Sequence, residues 1–521
     1  MLVAVTAAIA PAQQQFAELG QRIPVSGDDT RATTLADVDG DGDLDLLVGN
    51  IGCSILSCDG ENNRLYLNDG RGNFSDATAQ LPSFQDQTNA IAVGDVDGDG
   101  DLDVVIGNGY YDEQNRLLIN DGSGTFVDAT ATQLPVSANA TQSVALGDVD
   151  GDGDLDLICG NGYAGGEQNR LYLNDGLGTF TDVTTAQLPS AAEDTQGVCL
   201  LDIDGDGDLD LAIANRSFFF GVSVNRLYIN DGQGTFQDVT ASHLPPGLYG
   251  ATAVAAGDVD GDGDQDLVLV DFGNYGPGAL AGRLYINDGT GTYTDVTATQ
   301  MPPLSLWDNS QVELGDIDGD GDLDVVIGQQ ERYCNACHQV PVLLNDGTGT
   351  FTDATGTLQP AGGWSSPSPA LGDIDGDGDL DVVIGQGAVC GWLGCSGGQE
   401  RALVNLLRHL DAPSEPQIGQ SYTYDIYARH GAPHAFDVAL PYVSLAPAAI
   451  ALPPFGWVGI DPTQAVALPL VTVPPATGVA SFALAIPNNP ALAGLSLYAQ
   501  ALHVPYPLPP RLTNVTLGIV Q

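Results

Sequence analysis

A nine-residue stretch, Asp-Val/Ile-Asp-Gly-Asp-Gly-Asp-x-Asp, occurs seven times in this chain of 521 residues, at steps of 58, 53, 54, 56, 58 and 57. Spacing this regular means a repeat architecture, in which each unit buries its apolar face against the next. The acids of the first copy are Asp37, Asp39, Asp41, Asp43 and Asp45. Those of the second are Asp95, Asp97, Asp99, Asp101 and Asp103, and those of the third Asp148, Asp150, Asp152, Asp154 and Asp156. The fourth has Asp202, Asp204, Asp206, Asp208 and Asp210, and the fifth Asp258, Asp260, Asp262, Asp264 and Asp266. Asp316, Asp318, Asp320, Asp322 and Asp324 form the sixth, and Asp373, Asp375, Asp377, Asp379 and Asp381 the seventh.

Five carboxylates so close together repel one another unless a cation sits among them. The set offers hard oxygen ligands, with no thiolate or imidazole, which favours calcium over zinc or copper; about seven ions are expected, one per copy. In the first copy the expected ligands are the carboxylates of Asp37, Asp39, Asp41 and Asp45 and the backbone carbonyl of Asp43. Gly42 would take the positive φ that lets the chain wrap the ion. An EF-hand loop begins similarly but needs an acidic twelfth residue. Here the twelfth residues are Val48, Ile106, Cys159, Ile213, Leu269, Ile327 and Ile384, so that reading fails in every copy.

Each loop runs into a short apolar segment rich in β-branched residues, such as Leu46-Leu47-Val48 or Val325-Val326-Ile327, which reads as a buried strand. Aligned on the loops, each unit has four strands: in the third, Ser143 to Leu146, Leu155 to Cys159, Arg170 to Leu173 and Thr179 to Val183. The last two are joined by Asn174-Asp175-Gly176, a hairpin turn by composition, and the same Asn-Asp-Gly recurs at 68, 120, 230, 287 and 345. Four antiparallel strands repeated seven times read as a seven-bladed β-propeller. The seventh unit stops after its third strand near Leu403-Val404-Asn405, and Phe16-Ala17-Glu18 stands where its missing fourth strand would be. The two ends are therefore expected to share one blade and close the ring, leaving no open sheet edge there.

The loops, the Asn-Arg-Leu-Tyr-Leu-Asn-Asp-Gly-x-Gly-x-Phe-x-Asp-x-Thr stretches and their spacing resemble the FG-GAP/VCBS repeat family, which includes the propellers of integrin α-subunits. The resemblance covers roughly residues 16–406. It implies that each Asp-rich loop joins the first two strands of a blade and binds calcium. All seven units carry the loop here, which points to a structural role for the ions rather than one regulatory site.

The formal charge of −54 is largely ligand inventory: five acids in each of seven loops make 35 of the 68, and seven Ca²⁺ would leave about −40. Every basic residue is Arg, and no basic patch suited to nucleic acid is present. Leu2 to Ala10 followed by Ala10-Pro11-Ala12 reads as a signal-peptide remnant over 1–12, with an N-terminal strand as the alternative. No stretch is long and apolar enough to span a membrane as a helix. Eight cysteines fit an oxidising, extracellular or cell-surface location, and the C-terminal region resembles modules of secreted bacterial proteins. Cys53/Cys58, Cys334/Cys337 and Cys390/Cys395 fall in the same inter-strand loop of three units, which suggests local disulfides. Cys159 and Cys199 are expected to pair if the blades bring them together. Cys334-Asn335-Ala336-Cys337-His338 also matches a c-type haem attachment pattern.

Strand parity puts the acidic loops and the Asn-Asp-Gly turns on one face. The other face is irregular and carries Tyr110, Tyr111, Tyr163, Phe218, Phe219, Phe220, Tyr275, Tyr333 and Trp392, with Phe84, Tyr249, Trp307 and Trp364 between units. Aromatics on loops of a stiff scaffold suit the grip of a protein or glycan. The expected domains are thus the propeller over 13–408 and a small C-terminal β-sandwich over 412–521, whose proline-rich, acid-poor composition differs sharply. That module is read as a docking, assembly or sorting element, with a homo-oligomer or filament as one outcome. The function expected is adhesion, macromolecular binding or extracellular assembly. The alternative is a secreted lyase or hydrolase acting on polysaccharides, since fold alone does not exclude an enzyme. No nucleophile motif or metal triad links the six histidines.

Overall fold

The computed structural model describes residues 15–18, 22–52, 60–109, 113–162, 166–216, 224–247, 250–271, 282–303, 309–329, 339–359, 367–386, 389–391, 394–396, 400–405 and 410–411, together with ten strands between 421 and 519. Seven four-stranded antiparallel sheets follow one another along the chain, each containing one acidic loop between its first and second strands. In the first blade the strands are Thr30–Ala36, Asp45–Asn50, Arg64–Asn68 and Phe74–Asp76. The seventh blade is completed by Phe16–Ala17, which pairs antiparallel with Arg401–Asn405 so that Phe16 stands opposite Asn405 and Ala17 opposite Val404. The first and last strands of the repeat array thus close the ring, as the repeat pattern implied. An Arg401 Nη1–Glu18 Oε1 contact of 2.7 Å adds to the clasp.

The apolar interior lies between the blades. Second strands are buried on both faces, and they form seven clusters that each join two neighbouring blades. The seam between the first and second blades joins Leu47 and Leu65 to Val104, Ile106, Leu118 and Phe126. The ring-closing seam sets Ile374, Val383 and Ala402 against Leu46, Val48, Tyr66 and Phe74. Near the axis, blade spacing is set by matched sizes. Inner strands end on Gly94, Gly147, Gly257, Gly315 and Gly372, where a side chain would strike a leucine of the following blade: Leu155, Leu209, Leu323, Leu380 or Leu44. The leucine is the eighth residue of the acidic loop, the x of the repeat. Between the fourth and fifth blades the sizes change together, with Leu201 at the glycine position and Gln265 at the leucine position.

The sequence reading missed one recurring element. A single helical turn follows the fourth strand in six blades, for example Thr130–Gln133 and Thr184–Gln187. The Asp-x-Thr motif makes it: Asp128 Oδ1 accepts the Thr130 N–H at 3.0 Å, and Thr130 Oγ1 accepts the Leu117 N–H at 3.0 Å. The fourth strand is correspondingly short, Thr181–Asp182 in the third blade.

The expected pairing of Cys159 with Cys199 is corrected, since both are free thiols. Cys159 packs in the seam between the second and third blades and Cys199 against the seam between the fourth and fifth. The short strands Val389–Gly391 and Gly394–Ser396 place Cys390 opposite Cys395 in register. Cys53, Cys58, Cys334, Cys337 and residues 1–12 lie outside the described residues. In the C-terminal region Ser421–Tyr427 pairs with Val479–Ala485, and Asp437–Ser444 with Ser496–Pro505, in two separate sheets. Among the described residues no helix is long and apolar enough to cross a membrane.

Candidate metal centres

Each acidic loop is a hairpin connection held by its own acids. In the first, Asp37 accepts the Gly40 N–H on Oδ1 at 2.9 Å and the Gly42 N–H on Oδ2 at 3.0 Å. Asp39 accepts the Asp41 N–H at 3.3 Å and Asp41 the Asp43 N–H at 3.0 Å. These bonds need left-handed backbone at Gly40 and Gly42, which have φ of 74° and 95°. The acids at the first, third and fifth positions are thereby gathered on one side. Asp37, Asp39 and Asp41 each bring a carboxylate oxygen within 4.8 Å of the others, and so do Asp95/Asp97/Asp99, Asp202/Asp204/Asp206 and Asp258/Asp260/Asp262; in the third loop the trio is Asp148, Asp150 and Asp156.

The acid at the seventh position packs elsewhere. Asp43 lies against the Asn-Asp-Gly turn, so near that a Cβ on Gly70 would sit 2.4 Å from its Oδ2; Gly122, Gly176, Gly232, Gly289 and Gly347 stand likewise over Asp101, Asp154, Asp208, Asp264 and Asp322. Burial, with the charges of Asp41 and Asp69, pushes the Asp43 carboxyl up to about 6.

The acid at the ninth position of the loop is the pivot. Asp45 is fully buried, accepting the Val38 N–H on Oδ2 at 3.1 Å and the Asn68 N–H on Oδ1 at 2.9 Å. The same pair of bonds recurs at Asp103, Asp156, Asp210, Asp266, Asp324 and Asp381. Each carboxylate oxygen keeps a further lone pair for a cation. Burial outweighs the two N–H donors, so the carboxyl is pushed up to about 6 at Asp45, about 7 at Asp210 and about 8 at Asp324.

Several loop oxygens are buried without a hydrogen-bond partner among the described residues: Asp204 Oδ1, Asp318 Oδ1 and Asp377 Oδ2. The seventh loop differs from the others in that Asp375, Asp377, Asp379 and Asp381 are all buried. Burial and neighbouring acids hold Asp377 and Asp381 well above the usual carboxylate range. Converging hard oxygens, partly withdrawn from water and mutually repelling, fit a divalent cation of calcium's ligand preference.

The asparagine ending each third strand has a larger part than the turn its composition suggests. Asn68 Nδ2 donates to Leu44 O of its own loop at 3.0 Å and to Ile374 O of the preceding blade's loop at 2.8 Å. The cross-blade bond repeats from Asn120 to Val38, Asn174 to Val96, Asn230 to Val149, Asn287 to Ile203, Asn345 to Val259 and Asn405 to Ile317, at 2.6–2.9 Å. The signal was in the sequence: Asn405 holds this place although Leu406, not Asp-Gly, follows it. A second residue the sequence reading missed is Glu313, half-buried on the inner strand Asn309–Gly315. Thr34, Ala92, Ala145, Cys199, Ala255 and Ala370 occupy its place in the other blades. Burial pushes its carboxyl up to about 7.

Of the expected aromatic face, all but one residue lies outside the described residues. Phe84, the exception, belongs to the fold: it packs against the seam between the first two blades, with the Arg116 guanidinium 4.2 Å above its ring centroid.

An FG-GAP-like repeat profile matches residues 54–106, 97–159, 160–213, 218–269, 259–327 and 328–384. The chain is 32% identical over 186 residues to cartilage acidic protein 1 of Xenopus tropicalis, a match covering 34% of this chain and 28% of the relative. It is 31% identical over 164 residues to the Homo sapiens protein of that name, covering 30% and 24%. The chain thus spans about a quarter of the length of these relatives. Among solved structures, the fucose-specific lectin from Aleuria aurantia aligns with a TM-score of 0.38 and 12% identity, covering 65% of this chain and 100% of the lectin.

Proposed function

We propose that this chain, which belongs to the FG-GAP-like repeat family, is a calcium-stabilised scaffold working outside the cell, where it binds or assembles other macromolecules. The observation that carries the reading is the sevenfold repetition of one converging carboxylate cluster. A site repeated in every blade builds the scaffold, and this leaves recognition to the face where the blades differ. Asp37, Asp39, Asp41 and Asp45, the Asp43 carbonyl and their counterparts would hold the ions. Bound calcium supplies charge neutralisation, and the chain supplies the orientation: Gly40 and Gly42 turn the loop, and Asn68 with Val38 fixes Asp45.

Export is supported by the eight cysteines and by an acidity that suits a calcium-rich medium. The relatives' own name, an acidic protein of cartilage, agrees with it. The partner is read as a protein or glycan held on the irregular face, and the C-terminal strands as a docking, assembly or sorting module. A glycan array tests the first part. Wild type should give signals that a Trp364→Ala/Trp392→Ala variant loses while keeping its melting temperature; equal binding by both would move the site off that face.

A further inference from the structure

We propose that the seven asparagines ending the third strands are positioning residues that couple each metal loop to its neighbour, so that calcium fills the ring cooperatively. The inference rests on the calcium reading above and adds to it a direction and a carrier.

The carrier is a closed circuit. In each blade the acid at the ninth position of the loop is held by the backbone N–H of that blade's asparagine, and the same asparagine's amide reaches the second residue of the preceding loop. That second residue donates its own N–H to the acid at the ninth position of its own loop. In one step of the ring, Asp156 accepts from Asn174 N at 2.9 Å, Asn174 Nδ2 donates to Val96 O at 2.7 Å, and Val96 N donates to Asp103 at 3.0 Å. The next step leads from Asp103 through Asn120 N at 2.8 Å to Val38 O at 2.8 Å. The circuit also crosses the chain closure, through Asn405 to Ile317 O at 2.9 Å and Asn68 to Ile374 O at 2.8 Å.

Chemistry limits what can stand there. The position needs two donors on a short planar group: aspartate has none, serine has one, and glutamine places them a methylene too far. Both amide hydrogens go to peptide carbonyls inside two different metal loops. An asparagine serving only as a staple between blades would have no reason to choose those carbonyls in all seven cases. Drawing a ninth-position acid onto a cation moves the peptide of its asparagine, which carries the amide that fixes the loop next door. The neighbouring loop is thereby set before its own ion arrives, which lowers the ordering cost of the second binding event. Couplings of this kind commonly amount to about 5- to 150-fold in affinity.

The test is calcium binding to the full chain, by calorimetry and by native mass spectrometry at limiting free calcium. Wild type should titrate with a Hill coefficient above one. Asn174→Ala keeps the backbone bond to Asp156 but loses both amide bonds. It should weaken two sites, its own and that of the second blade, by about 5-fold or more, and retain two fewer ions than wild type. Loss of one ion only, or of none, overturns the coupling. Should Asn174→Ala fail to fold by circular dichroism in saturating calcium, the wild-type isotherm still decides, because independent sites with a Hill coefficient of one overturn the proposal. Absence of any calcium binding would instead refute the underlying functional reading.

Discussion

Replacing the pivot acid of one loop should change stability in opposite directions with and without calcium. Asp210 is fully buried, with Asn230 N–H on Oδ1 at 2.7 Å and Ile203 N–H on Oδ2 at 2.9 Å. In the metal-free protein, burial against those two donors leaves its carboxyl at about 7 instead of 3.8. The folded state therefore holds the proton more tightly than the unfolded state. Its stability falls as pH rises from about 3.8 to about 7 and stays low above that. Near pH 8 the ionised carboxylate costs at most about 4 kcal/mol, less whatever water at the loop screens. Asp210→Asn removes this cost but turns an amide N–H towards one of two buried donors, a loss of about 1–3 kcal/mol. The metal-free variant is thus expected to be up to about 3 kcal/mol more stable than wild type. With calcium at about a thousand times its dissociation constant, wild type gains about 4.1 kcal/mol at this site, a gain that already contains the cation's relief of the repulsion. The variant forfeits that gain, so its advantage of up to about 3 kcal/mol in chelator should turn into a deficit of about 1–4 kcal/mol in calcium. Urea unfolding near pH 8, in chelator and in millimolar calcium, reads both values. Destabilisation of equal size in both media would refute the reasoning, because Asp210 would then be a packing residue and nothing more.

Phe16→Ala should loosen the closure of the ring. The side chain is fully buried in the seam with Ile317, Val382 and Leu403, so its loss is expected to cost about 3–5 kcal/mol, and small-angle scattering should show expansion at lower urea than in wild type. An unchanged unfolding midpoint would mean the N-terminal strand contributes little. Glu313→Gln should raise the melting temperature near pH 8 and leave it unchanged near pH 4, since wild type loses stability as pH rises from about 4.5 to about 7. A gain of the same size at both pH values would assign the effect to packing.

Much of the ring could be read from the chain because each level of structure repeats the same instruction. Asp-rich loops mark the first hairpin, Asn-Asp-Gly the second, and apolar runs such as Leu46-Leu47-Val48 the strand buried on both sides. Phe16 could be assigned to the seventh blade because the array lacked one strand there and had a surplus one at its start. The misses share a physical cause: their partners are distant in sequence. Asn68 pairs with Ile374, a neighbour only once the ring has closed. Cys159 lies on the second strand of the third blade and Cys199 on the first strand of the fourth, so their side chains enter different seams. Phe84 read as a free aromatic because nothing local revealed that Arg116 would stack on it. The single helical turns escaped notice because Asp-x-Thr capping acts through a third-strand N–H thirteen residues earlier, as from Leu117 to Thr130.

The claim on which the rest depends is that every blade holds an ion. Native mass spectrometry of the chelator-stripped chain, titrated with calcium and paired with thermal melting, tests it directly. The account predicts about seven equivalents bound and a melting temperature that climbs with free calcium by linkage. A chain that binds none, and melts identically in chelator and in calcium, would contradict it.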